Sequence, residues 1–236
     1  MDDHAFAAAL ARDAGALLRE VRTEGLAGRA LGDEGDRRSQ QLLSSRLREE
    51  RPDDAVLSEE AADDDARLDA QRVWIIDPLD GTREFSEDGR SDWAVHVALW
   101  ERGGLAAGAV ALPALDLVLA TPSVSSPPAS DGERPRVVVS RSRPPDFAAA
   151  VASALGGDLV EMGSAGAKTL AVVRGEADAY VHAGGQYEWD SAAPVAVAVA
   201  AGLHASRIDG APSPTTSATS TSPTSSSAAP SSPTRS

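Results

Sequence analysis

The chain has no cysteine, which excludes disulfides, thiolate metal sites and cysteine nucleophiles. It has no apolar run near the ~20 residues that a bilayer-spanning helix needs. Its opening stretch, MDDHAFAAALARDAG, is acidic and lacks the charge pattern of a signal peptide. Both absences lead to the expectation of a cytoplasmic protein with no membrane partner. Basic residues are in deficit: 22 Lys and Arg face 36 Asp and Glu, for a net charge of −14. That balance argues against a nucleic-acid polymer as partner, because such a partner needs a basic surface. A small anionic substrate stays possible, since bound divalent cations reverse the local field.

Common catalytic signatures are missing too. There is no G-x-S-x-G elbow, and His4, His96, His182 and His204 lack metal-ligand spacing. GSAGAKT at 163–169 falls short of a phosphate loop. Ala167 stands where glycine should precede the lysine, and Gly163 lies one residue too close to Lys168. The segment reads instead as the start of a helix whose free amides, with Lys168, approach a phosphate.

What is present is an acidic turn. Val73, Trp74, Ile75 and Ile76 form a strand-like apolar run that stops at Asp77-Pro78-Leu79-Asp80-Gly81-Thr82. Pro78 and Gly81 force a turn, and the two carboxylates reach one sheet end, where a hard cation can bind. Thr82 adds a hydroxyl, and the turn amides can face an anion. An ordinary solvated turn has the same composition, so its neighbours decide. Ala55–Ser58 reads as a short strand running into Glu59-Glu60, and Glu188-Trp189-Asp190 precedes an apolar-periodic helix with Asp190 expected as its N-cap. Three acidic motifs together point to a metal cluster.

The segments SEE (58–60), WIIDPLDGTREF (74–85) and WDSAA (189–193) resemble, in order, the signatures of the inositol monophosphatase superfamily of Mg²⁺-dependent, lithium-sensitive phosphatases. GDRRSQQLL (35–43), GSAGAK (163–168) and HAGGQYEWDSAAP (182–194) look most like its actinobacterial CysQ branch, the 3′(2′),5′-bisphosphate nucleotidases. The resemblance implies Mg²⁺-dependent hydrolysis of a small phosphorylated nucleotide, 3′-phosphoadenosine 5′-phosphate, at its 3′-phosphate to give AMP. It also implies the ligand set. Glu59, Asp77 and the Leu79 carbonyl hold one Mg²⁺; Asp77, Asp80 and Asp190 hold a second; a weaker third ion uses Glu59. Asp36 orients Thr82, and Thr82 the attacking water. Gly81 and Thr82 amides hold phosphoryl oxygens, while Ser140, Arg141, Ser164 and Lys168 are the expected substrate contacts. Inositol-1-phosphate and fructose-1,6-bisphosphate remain alternatives, as does a chain that binds metal or nucleotide without turnover. Asp80→Asn is expected to abolish turnover and, by relieving repulsion, to raise the stability of the metal-free fold.

The resemblance implies a layered α/β sandwich of αβαβα type, and the patterning agrees. Residues 1–121 form an N-terminal helix pair plus the sheet with the metal turn, 122–135 a Pro/Ser/acid-rich linker, and 136–210 a C-terminal α/β part. A helix is expected over 3–22 and a second after Asp36. Strands are expected at 92–100 and 104–121, then at 136–140, 158–161 and 178–182. Helices are expected at 145–155, 165–174 and 190–201. From Ala211 the chain holds only Ala, Pro, Ser and Thr apart from one Arg, a composition expected to stay as disordered coil. With one nucleotide restored near Gly210, one consistent choice of G/C-rich codons reads DGSPLSYNQRDLYLPDLLVCRPELADAL, which resembles the strand-and-helix terminus of the family. Residues 211–236 therefore read as a frameshift product, and the final strand and helix as missing.

Overall fold

The computed structural model describes residues 1–128, 134–208, 210–211, 221–222 and 226–230. Helix α1 (Asp3–Val21) buries Phe6, Leu10, Ala14 and Leu18 along one stripe and starts on Asp2, whose carboxylate accepts the Ala5 N–H at 2.8 Å. Each large side chain buried there contributes about 1.5–3 kcal/mol. Helix α2 (Gly28–Glu50) begins eight residues before Asp36 rather than after it. Two glycines in the added turns are packing sites: a Cβ on Gly32 would strike Thr82, and one on Gly35 would strike Phe85 and Leu79. Close approach outweighs the low helix propensity of glycine.

The first sheet runs β1 (Ala55–Ser58), β2 (Arg72–Asp80), β3 (Ala94–Glu101), β4 (Gly104–Leu112) and β5 (Leu117–Ala120), in that order, with only the β1–β2 pair parallel. The expected long strand over 104–121 is broken by a 3₁₀ turn at Pro113–Leu115. Helix α3 (Thr82–Ser86) follows β2 directly. The second half contains β6 (Arg136–Ser140), α4 (Ala148–Ala154), β7 (Asp158–Met162), α5 (Ala165–Val173), β8 (Ala179–Val181), β9 (Gln186–Tyr187), α6 (Glu188–Ala200) and β10 (Leu203–Arg207).

Side-chain alternation builds the layers. Trp74 and Ile76 of β2, with Val95, Val97 and Leu99 of β3, pack under α1 and α2. Their neighbours Val73, Ile75, Ala94 and Ala98 face the opposite way, onto Leu170 and Ala171 of α5 and Ala193 and Val197 of α6. Val138 and Tyr180 of the second sheet close the same cluster from beyond, and Val137 and Val139 pack under α4. The result is the expected α/β sandwich with helices outside, between and outside two sheets. Val124 packs on the central cluster, while most described residues of the 122–135 stretch are exposed.

Two short strands lie in the tail, β11 (Thr221–Ser222) on β9 and β12 (Ser226–Pro230) between β8 and β10, so the second sheet runs β10-β12-β8-β6-β7. The expectation of coil throughout 211–236 is not met at these residues, and most of that span lies outside the described residues. Two facing strand edges offer backbone donors and acceptors whatever the side chains. Among the described residues no helix follows α6, and none is long and apolar enough to cross a membrane.

Candidate active site

Strand β2 continues through Asp80 instead of ending at Asp77, with an irregularity in its pairing to β3 between the two acids. Asp77 lies opposite His96 and Asp80 opposite Ala94. Three residues apart in a regular strand, the carboxylates would face opposite ways. The bulge at Pro78-Leu79, where proline has no N–H to donate, turns both into the same cleft. Gly81, at φ +88°, then starts α3.

The cleft has a volume of about 270 Å³. It is lined by Glu59, Asp77, Leu79, Asp80, Gly81, Thr82, Ser140, Ser164, Lys168 and Asp190, ten of the twelve residues expected from sequence. Asp36 stands behind it, reached through Thr82: the Thr82 hydroxyl lies 3.4 Å from Asp36 Oδ1 and 3.1 Å from the Leu79 carbonyl. Its single proton serves one of these at a time.

The electrostatics separate the acids. Burial, then the charges of Glu59, Asp80 and Asp190, raise the Asp77 pKa well above the ordinary range. Asp77 Oδ1 accepts the Leu79 N–H at 3.0 Å, while Oδ2 is buried and meets no donor among the described residues. The Glu59 carboxyl beside it leaves that pair of acids only a proton or a cation to share. The Glu59 side chain opens to solvent at the mouth of the cleft, yet partial desolvation and Asp190 lift its pKa to about 7. Asp36 is raised to about 7 by burial and by Glu60 and Glu59, and Asp190 to about 6 by burial and Asp80.

Asp80 is the exception. Burial opposes its ionisation, but His96, Lys168 and Ser164 outweigh that and hold it at about 2. Its Oδ2 accepts from the Ser164 hydroxyl at 2.5 Å and the Gly166 N–H at 2.8 Å, and lies 3.1 Å from His96 Nε2. His96 Nδ1 donates to the Trp189 carbonyl at 3.0 Å. Burial resists a charged ring there, and Asp80 pulls the pKa up regardless. Sequence spacing missed His96 because its partners lie across a strand pair.

Four expectations change. Asp190 is not the N-cap of α6: it sits three residues in, and its carboxylate accepts the Tyr187 N–H at 2.7 Å, a capping box with Tyr187 at the cap. Two of the first amides of α5 are not free for a phosphate, because the Gly166 N–H serves Asp80 and the Ala167 N–H serves the Ser164 hydroxyl. Lys168 folds back, donating to the carbonyls of Gly163 and Ser164. Arg141 does not line the cleft; its guanidinium is held by Glu84 and Glu87. Arg143 and His182 line the cleft instead; His182 opens the HAGGQYEWDSAAP segment, but no role was expected of it, and no motif marked Arg143.

Clustered oxygen donors with raised pKa values, and a buried oxygen facing no donor, fit a hard divalent cation. Asp77, Asp80 and His96 also place one ligand atom each within 4.8 Å of one another.

Residues 2–231 match the model of the inositol monophosphatase family. A 3′-phosphoadenosine 5′-phosphate phosphatase of Mycobacterium leprae is 56% identical over 226 residues, spanning 90% of this chain and 83% of that protein. The 3′(2′),5′-bisphosphate nucleotidase CysQ of Salmonella typhimurium is 34% identical, over 67% of this chain and 68% of its own. The crystal structure of CysQ from Bacteroides thetaiotaomicron superposes with a TM-score of 0.82 at 24% identity, covering 95% of this chain and 96% of that one. With that fold, and with an acidic cleft at the end of β2, the chain belongs to the inositol monophosphatase family.

Proposed function

We propose that this protein is a Mg²⁺-dependent phosphomonoesterase that removes the 3′-phosphate of 3′-phosphoadenosine 5′-phosphate and leaves AMP. One observation carries the reading: a single cleft has an acidic cluster at Asp77 and Asp80 and is also lined by the cationic or hydrogen-bonding side chains of Ser140, Arg143 and His182. A substrate with two phosphates suits that division, one at the cluster and one among donors. The names of the relatives from Mycobacterium leprae and Salmonella typhimurium support an adenosine bisphosphate.

Glu59, Asp77 and the Leu79 carbonyl would hold one Mg²⁺; Asp77, Asp80 and Asp190 would hold a second; Glu59 would hold a weaker third. When bound, these ions polarise the phosphoryl group and offset charge on the leaving oxygen, terms worth several kcal/mol. The chain supplies the rest. Asp36, with its pKa near 7, can take a proton at neutral pH. Thr82 connects it to the cleft, passing a proton from the attacking water through Oγ1 to Asp36. The water oxygen bonds to phosphorus as the bond to O3′ breaks, and O3′ takes a proton from solvent. Gly81 and Thr82 present their amides to the phosphoryl oxygens from the turn. Lys168 keeps one ammonium hydrogen beyond the two given to carbonyls, and turns its charge to the anionic substrate.

The test is phosphate release from 3′-phosphoadenosine 5′-phosphate, inositol-1-phosphate and fructose-1,6-bisphosphate, with Mg²⁺, with a chelator, and with Li⁺ added. The expected result is Mg²⁺-dependent, Li⁺-inhibited release that is fastest for the nucleotide. Equal or faster turnover of inositol-1-phosphate refutes the substrate, and release in chelator refutes the metal.

A further inference from the structure

Arg141 follows the last residue of β6, and Gly163 follows the last residue of β7. The two strands pair in parallel with Ser140 opposite Met162, and the Arg141 N–H donates to the Met162 carbonyl at 2.9 Å. Arg141 and Gly163 are thereby delivered side by side. Both meet Glu84 of α3, a carboxylate almost wholly buried. Arg141 Nη2 lies 2.6 Å from Glu84 Oε1, and its Nη1 lies 2.8 Å from Glu87 Oε2, with further bonds from Nε and Nη2 at 3.2 and 3.0 Å. The Gly163 backbone sits so close to Glu84 that a Cβ there would overlap the Glu84 side chain, and a Cβ on Gly81 would come within 3.4 Å of Glu84 Oε2. One ion pair thus touches three backbone segments that face the cleft: the Gly81-Thr82 turn, the Gly163-Ser164 turn and the loop from Ser140 to Arg143.

We propose that Arg141 is a positioning residue: its grip on Glu84 and Glu87 locks those three segments into one rim, and it contacts no substrate phosphate. A bidentate guanidinium has the fixed fork for this task, and lysine, a point charge on a flexible stem, does not. Four of its five N–H donors are already taken by two carboxylates, so a phosphate gripping the guanidinium bidentately would have to displace Glu87 or strip the buried Glu84 of its partner. The inference rests on the phosphomonoesterase reading for its kinetic test and not for its binding test.

In the kinetic test, the full chain and its Arg141→Lys, Arg141→Gln and Glu84→Gln variants are compared on 3′-phosphoadenosine 5′-phosphate and on adenosine 3′-monophosphate, which lacks the second phosphate. Misplacement of the rim predicts a ten- to hundredfold loss of kcat on both substrates alike, with the ratio of their kcat/KM values changed by no more than about twofold and KM little moved. Arg141→Lys and Glu84→Gln should lose to a similar degree. A loss confined to the bisphosphate, as raised KM, makes Arg141 a phosphate ligand and overturns the proposal. A lowered Tm with unchanged kcat per folded molecule makes the pair merely structural and overturns it too. In the binding test, calorimetry measures inorganic phosphate affinity in the presence of Mg²⁺. A positioning role predicts weaker binding in both Arg141→Lys and Glu84→Gln. A phosphate-ligand role predicts opposite signs, because Glu84→Gln frees the guanidinium. If the wild type turns over neither nucleotide, the substrate reading fails, and the calorimetric signs still decide the role of Arg141.

Discussion

At the scale of single residues, Asp77 and Asp80 are chemically alike and energetically opposed. Asp80 is ionised and its Oδ2 accepts from Ser164 and Gly166, while Asp77 holds an oxygen that meets no donor among the described residues. The relief expected from Asp80→Asn therefore belongs to Asp77. Asp77→Asn should raise the Tm of the metal-free protein, and Asp80→Asn should lower it, because an amide cannot replace a carboxylate that accepts from Ser164 and Gly166 beside His96. Both variants should lose Mg²⁺-dependent turnover. Thermal denaturation in chelator separates them, and a rise for Asp80→Asn would contradict the assignment of its partners. The pH dependence follows from the same shifts. Glu59 and Asp36 have folded-state pKa values raised to about 7, so the stability linked to them is present below their unfolded values near 4 and is lost as pH rises toward 7. Asp80, held near 2, works the other way, losing its contribution only in strong acid. The Tm in chelator should fall between about pH 4.5 and 7.5, and saturating Mg²⁺ should flatten the slope by binding the folded state. A Tm that rises with pH over that window would refute the raised values.

At the scale of elements, most of the pattern was legible. The continuous apolar run of Val73–Ile76 and the helical spacing of Phe6, Leu10 and Leu17 are local signals, and a strand and a helix form at those residues. Three features were not legible, and each depends on contacts distant in sequence. The early start of α2 depends on Leu79 and Phe85 meeting Gly35. The continuation of β2 through Asp80 depends on its pairing with β3. The removal of Arg141 from the cleft depends on Glu84 and Glu87. The acidic residues gathered at the cleft were readable because each lies in a short, contiguous motif, whereas Arg143 and His96 enter through tertiary placement, and His182 lay in a quoted segment without an expected role. The glycine face of α2 gives a direct test. Gly35→Ala adds one methyl where the nearest atoms stand 2.7 and 2.9 Å away, on Phe85 and Leu79. Overpacking of this kind costs about 1–3 kcal/mol, more than the helix propensity gained. Urea denaturation should show a lower midpoint at unchanged slope. A more stable variant would mean that α2 has room to move off α3.

At the scale of the molecule, the tail is where sequence and architecture conflict. Its composition disfavours a packed element, yet Ser226–Pro230 pairs with strands on both sides. Backbone donors and acceptors suffice for such pairing whatever the side chains. A chain ending at Gly210 should have a lower Tm than the full chain if β12 contributes, because β8 and β10 then expose their edges. A chain carrying DGSPLSYNQRDLYLPDLLVCRPELADAL from Asp209 onward should exceed both. An unchanged Tm on truncation would show β12 to be energetically idle. Resequencing codons 205–215 tests the frame itself.

The middle helical layer separates the two ends of the cleft. Asp77 and Asp80 belong to the first sheet, Asp190 to the helix shared by both, and Ser140 with Arg143 to the loop leaving the second. On the proposed reading, bond breaking and substrate choice fall on different strands, joined by α6 and by one arginine. Such a molecule can change what it accepts by altering a loop of four residues while its hydrolytic apparatus stays untouched. Its diversification would then proceed at one wall of the cleft only, with the opposite wall held fixed by the cost of disturbing buried charge.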